Sequence, residues 1–384
     1  MHRSRLETPT ATIVVLMALT PALPNTLAAQ GSDPRPWARG PVLEATLEAT
    51  SGPDVILSRV WGIDVGSKGR VYVRDDQTRG VIVLSPDLTY ERTLGRRGGG
   101  PGEFRHVSTV QILPDDSVLV YDRNQNRITV FPPGASEPAY VQGLPGGPYR
   151  EVFKVPEGLV AIRTSAYEAS GADVGIENER LLRLSSDGSV ATALFAFPRK
   201  ENLVYRRGDP RGGGAVSITS HPFGHRPFVR IVPGNTVRVV YASSLAPEAT
   251  LIDVESGRQA VLSYPEAPTV RVTRKEMGAA AERKSTRFAR MLREGGPYVW
   301  PPLTGVVAGG GGLVMLGVRT TDRKVWEWAS FRDDGTHAAS VVLPSGVVVY
   351  AQREGRLIGT ITDEFDTPRI VAYRVGSDAL EARR

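Results

Sequence analysis

Beyond the first thirty residues the chain has four histidines, at positions 106, 221, 225 and 337. Only His221 and His225 have ligand-like spacing, an H-x-x-x-H pattern. On a helix that spacing would aim two ring nitrogens from one face, as zinc requires. Pro222 and Gly224 fall inside the pattern and work against a helix there, and no third ligand is evident. Asp363, Glu364 and Asp366 could offer oxygen ligands to calcium. Beside Pro368 and Arg369, the same carboxylates also read as turn formers and ion-pair partners. There is no cysteine, which excludes thiolate metal sites and disulfides. A serine nucleophile has no G-x-S-x-G elbow to sit on. The chain is therefore expected to work without a cofactor, with Ca or Zn as the alternative.

Residues suited to binding are easier to find. The stretch from Gly95 to Phe104 holds Arg96 and Arg97 among five glycines before Phe104, and His106 follows it. It is not a phosphate loop, since no Gly-Lys-Ser/Thr follows. Tyr298 and Trp300 precede Pro301-Pro302 and could form an aromatic contact surface, and Arg369 is a further candidate. Net charge is +6, and arginine supplies nearly all the positive charge. Its bidentate fork suits anionic partners, although compositional bias could give the same excess.

These side chains must be held by elements that repeat. Apolar strands follow tight turns marked by Gly69, Asp116, Gly158, Gly234, Gly311 and Gly355, at spacings of 47, 42, 76, 77 and 44 residues. The first strand of each unit reads like Val71-Tyr72-Val73 and the second like Val81-Ile82-Val83-Leu84. Three spacings match a four-stranded propeller blade, and two carry insertions. Runs apolar on both faces fit sheets sandwiched between neighbours. The expected fold is all-β: a six-bladed β-propeller with four-stranded antiparallel blades. The sixth unit lacks its last strand, and residues 42–49 can supply it, so an N-terminal strand should close the last blade.

Tight loops such as Gly66–Gly69 and Asp333–Gly335 fall at one end of the blades. The long excursions, 95–107, 164–180, 197–228 and 265–304, fall at the other. Loops gathered on one rim of a rigid scaffold suggest a binding face. Within the last excursion, Thr273 and Glu276 match a capping box, predicting one inserted helix over 273–294. Arg283, Arg287 and Arg290 would share one of its faces, as a solvated surface or a basic lid.

The glycine-rich stretch, followed by Asp122-Arg123-Asn124-Gln125-Asn126-Arg127-Ile128-Thr129-Val130-Phe131, resembles the NHL-repeat family of propellers over residues 60–131. Leu357 to Arg374 is similar to the closing blade of secreted bacterial six-bladed propeller proteins. The resemblance implies a fold and a binding habit rather than a reaction. It makes Asp122 and Arg127 structural and leaves Arg96 and Arg97 freer for a ligand. Some relatives in that family are metal-dependent lyases, which keeps a channel metal site as the alternative.

Residues 1–29 read as a signal peptide: Arg3 and Arg5, an apolar run from Ala11 to Leu23, and a cleavage point near Ala29. Residues 30–40 should be a flexible segment, 41–376 the propeller and 377–384 a tail. No later stretch is apolar enough to cross a membrane. A secreted or periplasmic monomer is expected, binding a protein, peptide, glycan or other anionic ligand on its long-loop rim. The alternative is a metal-dependent propeller hydrolase or lyase, with His221, His225, Asp363 and Asp366 as ligands. Nucleic acid is disfavoured, because the arginines lack interleaved aromatics.

Overall fold

The computed structural model describes residues 40–164, 174–209, 212–232, 236–309 and 312–376. The expected signal peptide, most of the N-terminal segment and the C-terminal tail lie outside the described residues. Six antiparallel sheets, joined seam to seam, make a six-bladed β-propeller. Their innermost strands are Val60–Val65, Val107–Ile112, Glu151–Val155, Pro227–Val232, Leu303–Ala308 and Val348–Arg353. Each blade thus begins one strand before the apolar run taken as its first strand. Val71–Asp75, for example, is the second strand of blade one, paired with Val60–Val65 on one side and Val81–Leu84 on the other.

Alternation along these second strands explains why both faces are apolar. Val71 and Val73 pack into the seam with blade six, and Tyr72 packs into the seam with blade two. The pattern recurs around the ring, so that each of the six seams has its own buried cluster. The seam between blades six and one unites Val65, Val71 and Leu84 with Ile358, Ile370 and Ala372. Burying a large aliphatic side chain contributes roughly 1.5–3 kcal/mol, so the seams dominate stability.

The N-terminal latch differs in register from the expected 42–49. Ala45–Thr50 is the strand that completes blade six, antiparallel to Pro368–Val375. Val42–Leu43 instead lies parallel to Ser340–Val341 on the outer edge of blade five. Glu48 fixes the latch through Arg356 at 2.5 Å and Arg374 at 2.8 Å. Arg374, with Arg356 beside it, holds the Glu48 carboxyl below the usual carboxylate range against the opposing effect of burial.

Two further departures concern the insertions. The excursion at 197–228 is largely sheet: Val190–Asp209 runs on past its blade and turns back as Gly212–Ser220, a fifth strand of blade three. The single expected helix is two, α1 (Arg274–Glu282) and α2 (Thr286–Glu294). The capping box at Thr273 and Glu276 forms, while Ser285 starts a second helix after a break.

One device at the loop ends repeats. Asp75 accepts N–H bonds from Ser58, Arg59, Gln77 and Thr78. Asp122 accepts them in the same way from Arg105, His106, Asn124 and Gln125. Each carboxylate ties the loop entering its blade to the loop leaving its second strand. Burial would raise the pKa of Asp122, but these donors and the Gln125 amide outweigh it and hold the carboxyl low.

Two tests follow from this architecture. Asp122→Ala strands several amide donors and should cost about 3 kcal/mol; a urea midpoint within error of wild type would refute its structural role. Deleting residues 1–50 bares the edge of Pro368–Val375 and should lower the melting temperature and produce self-association. A monomeric truncation with unchanged melting would show that the latch is dispensable. Because Glu48 has a depressed pKa, its contribution is present above the unfolded value and lost as pH falls through the folded one.

Candidate functional site

Propeller parity places the described parts of the long excursions on one rim, residues 165–173 and 210–211 lying outside the described residues, and the two rims differ in charge. The tight-turn rim is acidic because turns recruit aspartate. Asp115, Asp187 and Asp334 each accept the N–H of the residue two positions on. The long-loop rim is basic. Across its largest excursion, 264–302, eight Lys and Arg residues face four Glu. Arg274, Lys275, Arg283, Arg290 and Arg293 are exposed there, and Arg290 lies 3.9 Å from Glu294.

The glycine-rich loop on this rim is internally satisfied. Gly95 has a positive φ of 73°, and a Cβ there would strike the Phe104 ring. Phe104 plugs the seam against Phe131. Glu103 accepts the N–H groups of Gly99 and Gly100 and binds Arg96 at 2.9 Å. Arg127 donates to the carbonyls of Gly99, Gly100 and Glu103. Asp122 and Arg127 therefore brace the loop, and its amides do not form an anion cradle. Arg97 is exposed beyond it.

His221, Tyr298 and Trp300 are brought together, but under the helical insert. Tyr298 meets His221 edge-on at 5.1 Å, and Phe223 lies between Tyr298 and Trp300 at 5.4 and 4.9 Å. Leu203, Phe288 and Leu292 seal this cluster. Arg319 lies over both Trp300 and Trp326, at 4.5 and 5.3 Å, and burial lowers its pKa to about 10. These aromatics anchor the insert.

Both paired histidines are engaged in local bonding. His221 Nδ1 accepts the Phe223 N–H, and burial lowers the ring's pKa. The His225 ring nitrogens lie 2.9 Å from Ser243 Oγ and 3.2 Å from the Pro198 carbonyl. Asp363 accepts from Phe365 N–H, Thr367 N–H and Arg369 Nε, while Arg369 also reaches the Gly52 carbonyl. Asp366 sits in that turn with a positive φ of 58°. Histidines at the entry to blade four and carboxylates of blade six do not converge. Among the described residues no three His, Asp or Glu side chains are grouped to hold a metal. His106 lies at the entry to blade two, its pKa lowered by burial and then by Arg74 and neighbouring arginines.

The central channel expected of a propeller is a cavity of about 1730 Å³ lined by all six inner strands, and sequence reasoning singled out none of the arginines that line it. Arg74 reaches it from the second strand of blade one, passing over Gly62. Arg74 donates to the carbonyls of Trp61 and Ser108, and Tyr350 donates to that of Val60. Gln111 exchanges two bonds with the backbone of Lys154. Polar channel residues thus join adjacent blades. Asp64 accepts the Ile112 and Val65 N–H groups, yet burial outweighs these bonds and the Arg353 charge, raising its pKa to about 6.

No family model and no curated protein matches the chain. Solved structures do. A Bacteroides fragilis protein described as exported aligns with a TM-score of 0.50 at 10% identity, over 87% of this chain and 96% of its own. Virginiamycin B lyase from Staphylococcus aureus aligns with a TM-score of 0.42 at 10% identity, over 86% and 98%. A calcium-binding protein, regucalcin, from Agrobacterium tumefaciens aligns with a TM-score of 0.40 at 9% identity, over 88% and 96%. At such identities the likeness is one of fold. Among the described residues no helix is long and apolar enough to cross a membrane.

The Asp64 environment can be checked directly. Carbon-detected NMR should show one aspartate titrating near pH 6, absent in Asp64→Asn, while ordinary aspartates titrate near about 4. With the folded pKa raised, its contribution to stability grows as pH falls through 6 and levels off below the unfolded value. If no aspartate titrates above the usual range, the buried setting assigned to Asp64 is wrong.

Proposed function

We propose that this chain is an exported β-propeller binding protein that takes an anionic peptide, glycan or other anionic ligand on its long-loop face. The supporting observation is the segregation of charge between the rims. Turn chemistry accounts for the aspartates on the tight side. On the helical insert Arg293 answers the carbonyl end of α2 and Arg290 faces Glu294, but Arg274, Lys275 and Arg283 extend into solvent. A basic face of this kind concentrates anions and speeds their encounter with the protein. Export is supported by the amino-terminal charge and apolar pattern. Kinship with NHL-type propellers is supported by the bracing of the glycine-rich loop by Asp122 and Arg127.

Retention on immobilised dextran sulfate tests the reading. The protein should bind, elute as salt rises, and lose retention when Lys275, Arg283 and Arg293 are together changed to Glu. Reversing Asp87 and Asp187 on the tight rim should leave retention intact. Equal retention of wild type and the insert variant would overturn the assignment. Stoichiometric zinc or calcium surviving dialysis, and lost in His221→Ala or Asp363→Ala, would favour the metal-dependent hydrolase or lyase instead.

A further inference from the structure

We propose that the channel contains a built site for one oxyanion, the carboxylate or phosphate of a small organic molecule, held between Arg74 and Arg230. This rests on the reading that the protein binds anions, and it assigns them a second place, inside the ring. Arg74 comes from blade one and Arg230 from the inner strand of blade four, and both line the same cavity. Arg230 donates one bond, to the Val229 carbonyl at 2.9 Å, and Arg74 donates to Trp61 and Ser108. A guanidinium has five N–H donors, so both keep donors for a ligand. Neither has a carboxylate partner among the described residues.

Glu151 lines the same cavity and its charge favours both guanidinium ions, but its carboxylate is already engaged elsewhere. Glu151 is bound by Arg150 at 2.6 Å, and Arg150 is shared with buried Glu179 at 2.7 Å. Two guanidinium groups therefore face one cavity; Arg74 feels the charge of Arg230, and both feel the Glu151–Arg150 pair. Guanidinium stays ionised even when buried, so the repulsion cannot be relieved by losing a proton. An anion between them would relieve it and complete their hydrogen bonds. Trp61 and Phe153 add apolar wall to the cavity, which far exceeds a bare oxyanion in volume, so an organic body is accommodated.

Calorimetric titration of the full chain with benzoate, phenyl phosphate and inorganic phosphate, at fixed ionic strength, tests this. At least one should bind saturably. Arg230→Gln should weaken that binding roughly 10- to 100-fold without lowering the melting temperature. Arg230→Lys, which retains charge but loses the fork, should fall between them. Benzoate binding alone identifies a carboxylate site, phenyl phosphate alone a phosphate ester site, and competition between them a shared oxyanion site. Absence of saturable binding by all three, or binding unchanged in Arg230→Gln, overturns the proposal. Dextran sulfate retention that persists in that case would leave the long-loop face as the binding surface. Channel binding without retention would overturn the rim reading alone.

Discussion

Stability in this molecule depends on closing six apolar seams. A blade buries both faces only when it has a neighbour on each side, so an open array would leave two faces in water. The seam between blades six and one must therefore form, and the chain secures it by returning its start to its end. Ala45–Thr50 pairs with Pro368–Val375, and Ser51 Oγ accepts the Ile370 N–H as the chain moves inward to blade one. Glu48, gripped by Arg356 and Arg374, adds an electrostatic clasp on the surface. It is the weaker part of the latch, since exposed ion pairs contribute about 0.2–1 kcal/mol.

With the seams carrying stability, the inner strands can hold residues that a buried strand would otherwise exclude. They read VWGIDV, VSTVQI, EVFKV, PFVRIV, LTGVVA and VVYAQR. One face enters a seam and the other faces the channel, where water or a ligand can meet Arg230 or Gln352. The channel groups are not uniformly free. Arg74, Asp64, Thr109, Gln111 and Arg353 each bond to the neighbouring blade. These bonds set the register of one inner strand against the next, and they also fix where charges stand inside the ring.

That division explains what could be read from the chain. Second and third strands such as VLVYD and RITVF were legible because seams bury them on both sides. Blade number, latch and rim parity follow from them. Inner strands were passed over because channel residues such as Arg230 break their apolar continuity. The latch register was missed because ATLEAT alternates without a turn to fix it, and a slip decides which carboxylate reaches Arg356. Tyr298 and Trp300 looked like surface aromatics because nothing local reveals that Phe223, from another excursion, covers them. The capping box at Thr273 was legible, being wholly local, whereas the helix break at Ser285 had no comparable punctuation.

Charge on the two rims has unequal origins, and the difference bears on function. An aspartate at a tight turn replaces a missing backbone partner, so its placement is explained by folding. The exposed arginines of the helical insert lie toward solvent, while Ala281, Phe288 and Leu292 seat the insert in its buried cluster. Inside the channel the balance is sharper still. Arg74 bonds to Trp61 within blade one and to Ser108 of blade two, a structural task that accounts for its presence. Arg230 reaches only the carbonyl of its own neighbour, Val229, and contributes no bond between blades. A cation desolvated without a structural partner lowers stability, so the residue that folding explains least is the one best placed to meet an anion.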